Sequence, residues 1–391
     1  MDEPALELTP QELLTQYEGI NACAPMVRYG KLPFRSVVSQ FNTQLVWTPM
    51  MLATEFSRSQ TGRDADFSTN STERGTFLLN ERYSNPATVQ EYDDSPEPRG
   101  IYSSGKRQRK VKGRLIIQFA ANDPVHLADA AELAKPFVDA IDLNCGCPQK
   151  WAFQEGIGCA LLRKPELVRD LVRTTKQRLG WDFPVCVKIR VDSDPSRTEQ
   201  LVSNILASGA DVLTVHGRTR HQSSSGYPVN LPAINFAREC AKGQIPVIAN
   251  GDVFDLGDAE KTRKETGVQG VMSARGLLAN PALFSGFSET PLTAVYSFLY
   301  FAISQSLLFS LFHRHLAYML ESRFSTRKER IYFNSLASYG GVLDWCEAKF
   351  GNEKGWGGMS AYLCLLPHPF WRAEKSTLFD PVHATTKNSD S

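Results

Sequence analysis

Eight short apolar runs recur along the chain, at residues 21–27, 45–50, 114–120, 140–144, 184–190, 211–217, 245–251 and 270–276. Val, Ile and Leu crowd them without polar alternation, the composition of a strand buried on both faces, as parallel strands are. Amphipathic segments of helical spacing lie between most of them, including 128–134, 165–179, 197–207 and 256–266. Eight such units predict an α/β protein of the closed (β/α)8 TIM-barrel kind, a fold of roughly 250 residues. An open doubly wound sheet is the alternative. It opens with a Gly-rich phosphate loop after its first strand, whereas here Pro25, Met26 and Val27 follow.

A barrel of this kind does its chemistry at the C-terminal ends of its strands. Those ends carry Pro25 and Met26, Gln118, Asn144 and Cys147, Lys188 and Arg190, His216 and Arg218, Asn250-Gly251-Asp252, and Ala274-Arg275-Gly276. Polar groups closing so many apolar strands imply a polar pocket at one mouth. Glycines and an arginine after strands seven and eight suit a phosphate, to which Arg275 adds a bidentate contact. Gln118 offers a donor and an acceptor to a heterocycle's edge, and Lys188 a cation to a ring carbonyl. Together they fit flavin mononucleotide (FMN). Cys147 stands between Gly146 and Pro148 on the turn after strand four, a placement that presents a thiol to a cleft. Cys145, two positions earlier, competes with it, and residue type alone does not choose between them.

The remaining sequence sets limits. Lys and Arg total 43 against 42 Asp and Glu, so bulk charge demands no polyanion and any nucleic acid must meet a local patch. The eight cysteines show no CxxC pair, which argues against a zinc site and for reduced thiols. The N-terminus is acidic and lacks an apolar signal core, which predicts a cytoplasmic or nuclear protein. Residues 1–18 read as a short helix or arm. Residues 72–113 read as an unstructured insertion, with the acidic stretch 93–98 and a basic run at Lys106, Arg107, Arg109, Lys110 and Lys112. Residues 291–312 hold no charged residue. Capped by Thr290, with Pro291 first in the helix, they predict one buried helix of a C-terminal helical domain over 289–350, not a membrane span. Arg323, Arg327 and Arg330, at helical spacing, predict one basic face. Residues 351–391 are an unassigned tail. The barrel domain then spans 1–288, in a monomer.

Taken in order, Cys23-Ala24-Pro25-Met26-Val27, Gln118-Phe119, Asp142-Leu143-Asn144-Cys145-Gly146-Cys147-Pro148, Lys188-Ile189-Arg190, Val215-His216-Gly217-Arg218-Thr219, Ile248-Ala249-Asn250-Gly251-Asp252 and Ala274-Arg275-Gly276 resemble the motif series of the tRNA-dihydrouridine synthases. The wording from Ala24 to Tyr29 and from Asn144 to Ala152 is most similar to the eukaryotic type 4 enzymes, associated with positions 20a and 20b of the tRNA D-loop. The resemblance spans about residues 18–350, apart from the insertion. It implies an FMN-bearing barrel followed by a helical tRNA-binding domain. It places flavin contacts at Pro25, Met26, Val27, Gln118, Lys188, His216, Asn250, Gly251, Asp252, Ala274 and Arg275. It selects Cys147 as the general acid and puts Asn144 beside the uracil or flavin. Arg190, Arg218, Arg323, Arg327 and Arg330 are then expected to meet substrate.

The implied chemistry is reduction of the uridine C5–C6 double bond, with NADPH or NADH reducing the flavin. Hydride reaches C6 and a proton must reach C5. A thiol of ordinary pKa, ~8.5, is protonated near neutrality and donates. Two alternatives stand: a flavoprotein acting on a free pyrimidine, and a non-catalytic tRNA-binding barrel.

Overall fold

The computed structural model describes residues 5–80, 108–353 and Trp356. Eight parallel strands close into a barrel: β1 (Ile20–Cys23), β2 (Leu45–Leu52), β3 (Leu115–Ala120), β4 (Ala140–Cys145), β5 (Val185–Arg190), β6 (Val212–His216), β7 (Val247–Asn250) and β8 (Gly270–Ser273). They follow chain order around the barrel, and β8 closes on β1 with Gly270 opposite Ile20. All eight expected strands are present. The helices Pro165–Leu179 and Leu256–Thr266 have the bounds expected of them.

Alternation along each strand sorts the side chains into two layers. On β4, Ile141, Leu143 and Cys145 face the outer helices and join the large strand–helix core, while Ala140 joins the barrel interior. Trp47, Ile116, Ala140, Cys186, Val212, Ile248 and Met272 fill the lower interior. A helix at Pro10–Gln16 plugs this end with Leu13 and Leu14. Its start is a capping box: Glu12 N–H donates to the Thr9 hydroxyl, and Thr9 N–H donates to the Glu12 carboxylate at 2.7 Å.

The segment 72–113, expected to be unstructured, has strands at both ends. Phe77–Asn80 pairs antiparallel with Gln108–Lys112, which Leu6–Glu7 joins in parallel. Phe77, Leu79 and Val111 are buried with the lower interior, so the segment is rooted at the end opposite the mouth. The basic residues around Val111 hid its apolar contribution. Lys112 pairs with Glu7 at 2.8 Å. Residues 93–98, Lys106, Arg107 and the tail from 357 lie outside the described residues.

Among the described residues, four α-helices of the C-terminal part follow the barrel: Leu292–Ser304, Phe309–Met319, Arg327–Ser335 and Tyr339–Phe350. The single helix expected over 291–312 is broken near Ser306, whose φ is +53°. Pro291 takes the cap position, and the Thr290 hydroxyl donates to Ala279 O at 2.7 Å instead of capping. No described helix is long and apolar enough to cross a membrane. His315 is buried where these helices meet the barrel, stacked on Phe34 with ring centroids 4.8 Å apart. Burial lowers its pKa to about 3, so the junction holds a neutral ring.

The basic face does not form. Thr326 caps a new helix starting at Arg327, which leaves Arg323 in a separate turn at Glu321–Arg323. Arg323 donates to Thr290 O and pairs with Glu289 at 3.2 Å, while Arg330 pairs with Glu321.

Candidate active site

The turn after β4 is set by one side chain. Asn144 Oδ1 accepts from Gly146 N–H at 3.1 Å and Cys147 N–H at 2.9 Å. This side-chain-to-backbone turn ends the strand and lifts Cys147 out of its alternation. Cys147 is half-buried at the mouth. Cys145 is fully buried, and burial pushes its thiol well above the ordinary range. That separates the two cysteines. Cys159 is likewise buried, with its pKa raised to about 11 chiefly by burial. Its N–H donates to Cys147 O at 3.0 Å.

Below the turn runs a polar ladder. Asn144 Nδ2 donates to Gln118 Oε1 at 2.8 Å, Gln118 Nε2 to Asp142 Oδ2 at 2.7 Å, and Trp47 Nε1 to the same oxygen at 2.9 Å. β2 carries a bulge between Trp47 and Met50. There the Thr48 hydroxyl accepts Gln118 N–H at 3.1 Å, in the place of a backbone carbonyl that the bulge moves away. Asp142 and Trp47 were not expected in the site. A carboxylate inside an apolar strand was the available signal for Asp142.

Lys188 is 8% exposed beside this ladder. Burial first, then Arg190, lowers its pKa to about 8. Among the described residues it makes no hydrogen bond or ion pair. His216 is pushed down to about 2, by burial and then by Lys188 and Arg190, so its ring is neutral. Arg218 Nη1 lies 3.2 Å from His216 Nε2. A guanidinium only donates, so Nε2 accepts and the ring proton sits on Nδ1.

Arg190 and Arg218, expected to meet substrate, have guanidinium groups that brace the protein itself. Arg190 is 8% exposed and donates to Gly146 O at 3.0 Å and Thr219 O at 2.9 Å. It thereby ties the Cys147 turn to the loop after β6. Arg218 is 1% exposed and engages Tyr227 O, Ser224 O and Asp252. Backbone carbonyls of the β6 loop claim their N–H groups, and the sequence near either arginine does not announce that.

The ends of β6, β7 and β8 enclose a cavity lined by His216, Asn250, Gly251, Asp252, Ala274, Arg275 and Gly276, among others. Asn250 donates to Met272 O at 3.0 Å. Asp252 holds Arg275 at 2.8 Å and accepts Val229 N–H at 2.9 Å. Gly276 has no room for a side chain, since a Cβ there would meet Val253 O at 2.1 Å. Gly251 has φ +129°, a backbone that only glycine adopts freely. Pro25, Met26 and Val27 form the turn after β1, with Met26 buried and Val27 exposed. An unpartnered cation, a glycine cradle and an arginine at the β7–β8 end fit a flavin phosphate and ring.

A closed barrel with its polar groups at the C-terminal mouth, a glycine–arginine cradle and a thiol on the β4 turn defines a class of barrel enzymes. Within that class, residues 22–341 match the model of the dihydrouridine synthase family. The tRNA-dihydrouridine(20a/20b) synthase [NAD(P)+] of Schizosaccharomyces pombe is 45% identical, covering 85% of this chain and 88% of that protein. The mouse protein named tRNA-dihydrouridine(20a/20b) synthase [NAD(P)+]-like is 40% identical, covering 88% and 93%. Its human counterpart is 38% identical over 88% and 94%. The chain belongs to the dihydrouridine synthase family.

Proposed function

We propose that the mouth binds FMN, with its phosphate at the β7–β8 cradle and its ring toward Gln118 and Lys188, and that Cys147 protonates the substrate. The chain is an oxidoreductase that reduces tRNA uridines at positions 20a and 20b to dihydrouridine with NAD(P)H. The observation that carries the site assignment is the pairing of a mouth-facing Cys147 with a fully buried Cys145.

Bound reduced flavin supplies a hydride, and the chain's residues do the rest. Asn144 fixes the turn that presents Cys147. The Cys147 thiol gives a proton to the ring carbon beside the one that receives hydride. The buried Lys188 ammonium stabilises negative charge on a ring carbonyl while that proton is in transit. His216, neutral, offers Nδ1–H as a further donor. A uridine must leave its stack to enter, at a cost of a few kcal/mol.

At the rim, Trp151 and Phe153 are 45% and 42% exposed, and Arg220 lies over the Phe153 ring at 4.0 Å. This suits stacking on bases beside the target. Phe153→Ala is expected to weaken tRNA binding by about 1–3 kcal/mol, with NADPH oxidation unchanged, as a filter-binding assay reads. Arg327 offers a further tRNA contact on the helical domain, in a protein that acts as a monomer in the cytoplasm or nucleus.

Purified protein with NADPH and tRNA lacking dihydrouridine should form the product at 20a and 20b, mapped by mass spectrometry. The yellow chromophore released on denaturation should have the mass of FMN. A different flavin, or no product, defeats the assignment. Gly276→Ala must displace Val253 O or its own helix, so flavin affinity is expected to fall by about tenfold or more, as fluorescence titration reads.

A further inference from the structure

The ladder beneath Cys147 has a direction, and one residue anchors it at its buried end. The Gln118 and Asn144 amides each have a donor end and an acceptor end, and either could be turned over. Asp142 is fully buried, and its Oδ2 already accepts from Trp47 Nε1 at 2.9 Å. Gln118 must therefore meet that oxygen with its amino group, at 2.7 Å. Its carbonyl then faces Asn144, which meets it with its own amino group at 2.8 Å. Asn144 is left with its carbonyl toward the N–H groups of Gly146 and Cys147. Reversal of either amide would set N–H against N–H and carbonyl against carbonyl.

We infer that Asp142 is a positioning residue, which orients Gln118 and Asn144 and through them the turn that presents Cys147. Each amide keeps one N–H uncommitted by the ladder, so its spare hydrogens suit a carbonyl oxygen on a bound ring. Protonation leaves the direction intact. Burial raises the Asp142 pKa to about 7, and a proton would sit on Oδ1, the oxygen that has no partner among the described residues. The role is therefore one of shape and polarity, not of charge. The product readout rests on Cys147 being the proton donor, whereas the thiol readout below does not.

The test compares two replacements. Asp142→Asn places an amide oxygen where Oδ2 lies and keeps both bonds, whereas Asp142→Leu keeps the size and removes the acceptor. In the Asp142→Leu protein the freed turn should let iodoacetamide alkylate Cys147 about tenfold faster, mapped by peptide mass, with single-turnover dihydrouridine formation down roughly 100-fold. The Asn variant should stay near wild type in both. If the Leu variant does not fold, Gln118→Glu gives a second route, because a carboxylate cannot donate to Asp142. It should speed the alkylation of Cys147 and slow single-turnover dihydrouridine formation as Asp142→Leu does. Equal damage from Asn and Leu, or an alkylation rate unchanged in the Leu variant or, where that does not fold, in the Gln118→Glu variant, would each overturn the inference. Activity surviving Cys147→Ala would instead remove the proton-donor reading and leave the ladder standing.

Discussion

Cys147→Ala is expected to lower dihydrouridine formation by about 10²–10⁴-fold, the usual contribution of a positioned general acid. Flavin content and NADPH-driven flavin reduction should be unchanged, because the thiol is needed only when uridine accepts hydride and a ring carbon must be protonated. The control is Cys145→Ala. That side chain is fully buried and faces the outer helices, so its loss leaves a small void at a cost of about 1 kcal/mol and does not touch the reaction. Quantifying dihydrouridine by mass spectrometry beside NADPH oxidation separates the outcomes. Full product from the Cys147 variant, or loss of product only in the Cys145 variant, would remove the assignment.

The contrast between these cysteines shows where sequence reading stops. The strands were legible because a parallel strand buried on both faces must be apolar, and the mouth because polar residues close those strands. Six of the expected flavin contacts, from His216 to Arg275, line one cavity. What failed depended on partners distant in the chain or on loop carbonyls. Trp47 reaches Asp142 across 95 positions. Arg218 turns inward because Tyr227 O and Asp252 take its guanidinium. The Arg323/Arg327/Arg330 spacing fitted a helix, but Thr326 restarts the helix between them. The fragment around Val111 looked merely basic, although Val111 packs under the barrel beside Phe77 and Leu79. Local pattern fixes which face a residue prefers. It does not fix which distant acceptor claims a long side chain.

The largest expected effect on stability lies at Glu73, well outside the chemistry. Arg35 and Glu73 form a two-pronged pair at 2.6 and 2.9 Å, with both side chains at most 2% exposed. The remaining guanidinium donors reach Gly30 O at 2.6 Å and Ser68 O at 2.7 Å. Glu73→Ala strands a fully buried guanidinium, and breaking a buried pair from one side costs about 3–5 kcal/mol. Removing both charges together, as in Arg35→Met/Glu73→Leu, should return most of that loss, because an apolar pair of similar volume is often neutral. Urea denaturation of the single and double variants reads the difference. Function should follow in the same order. Gly30 N–H donates to Met26 O at 2.8 Å, so the pair braces the turn after β1 that carries Pro25, Met26 and Val27. The single variant should lose flavin affinity along with stability, while the double variant, without the Arg35 bond to Gly30, recovers stability further than affinity. Equal recovery of both would mean that the Met26 turn holds itself, and that Arg35 supports the barrel wall alone.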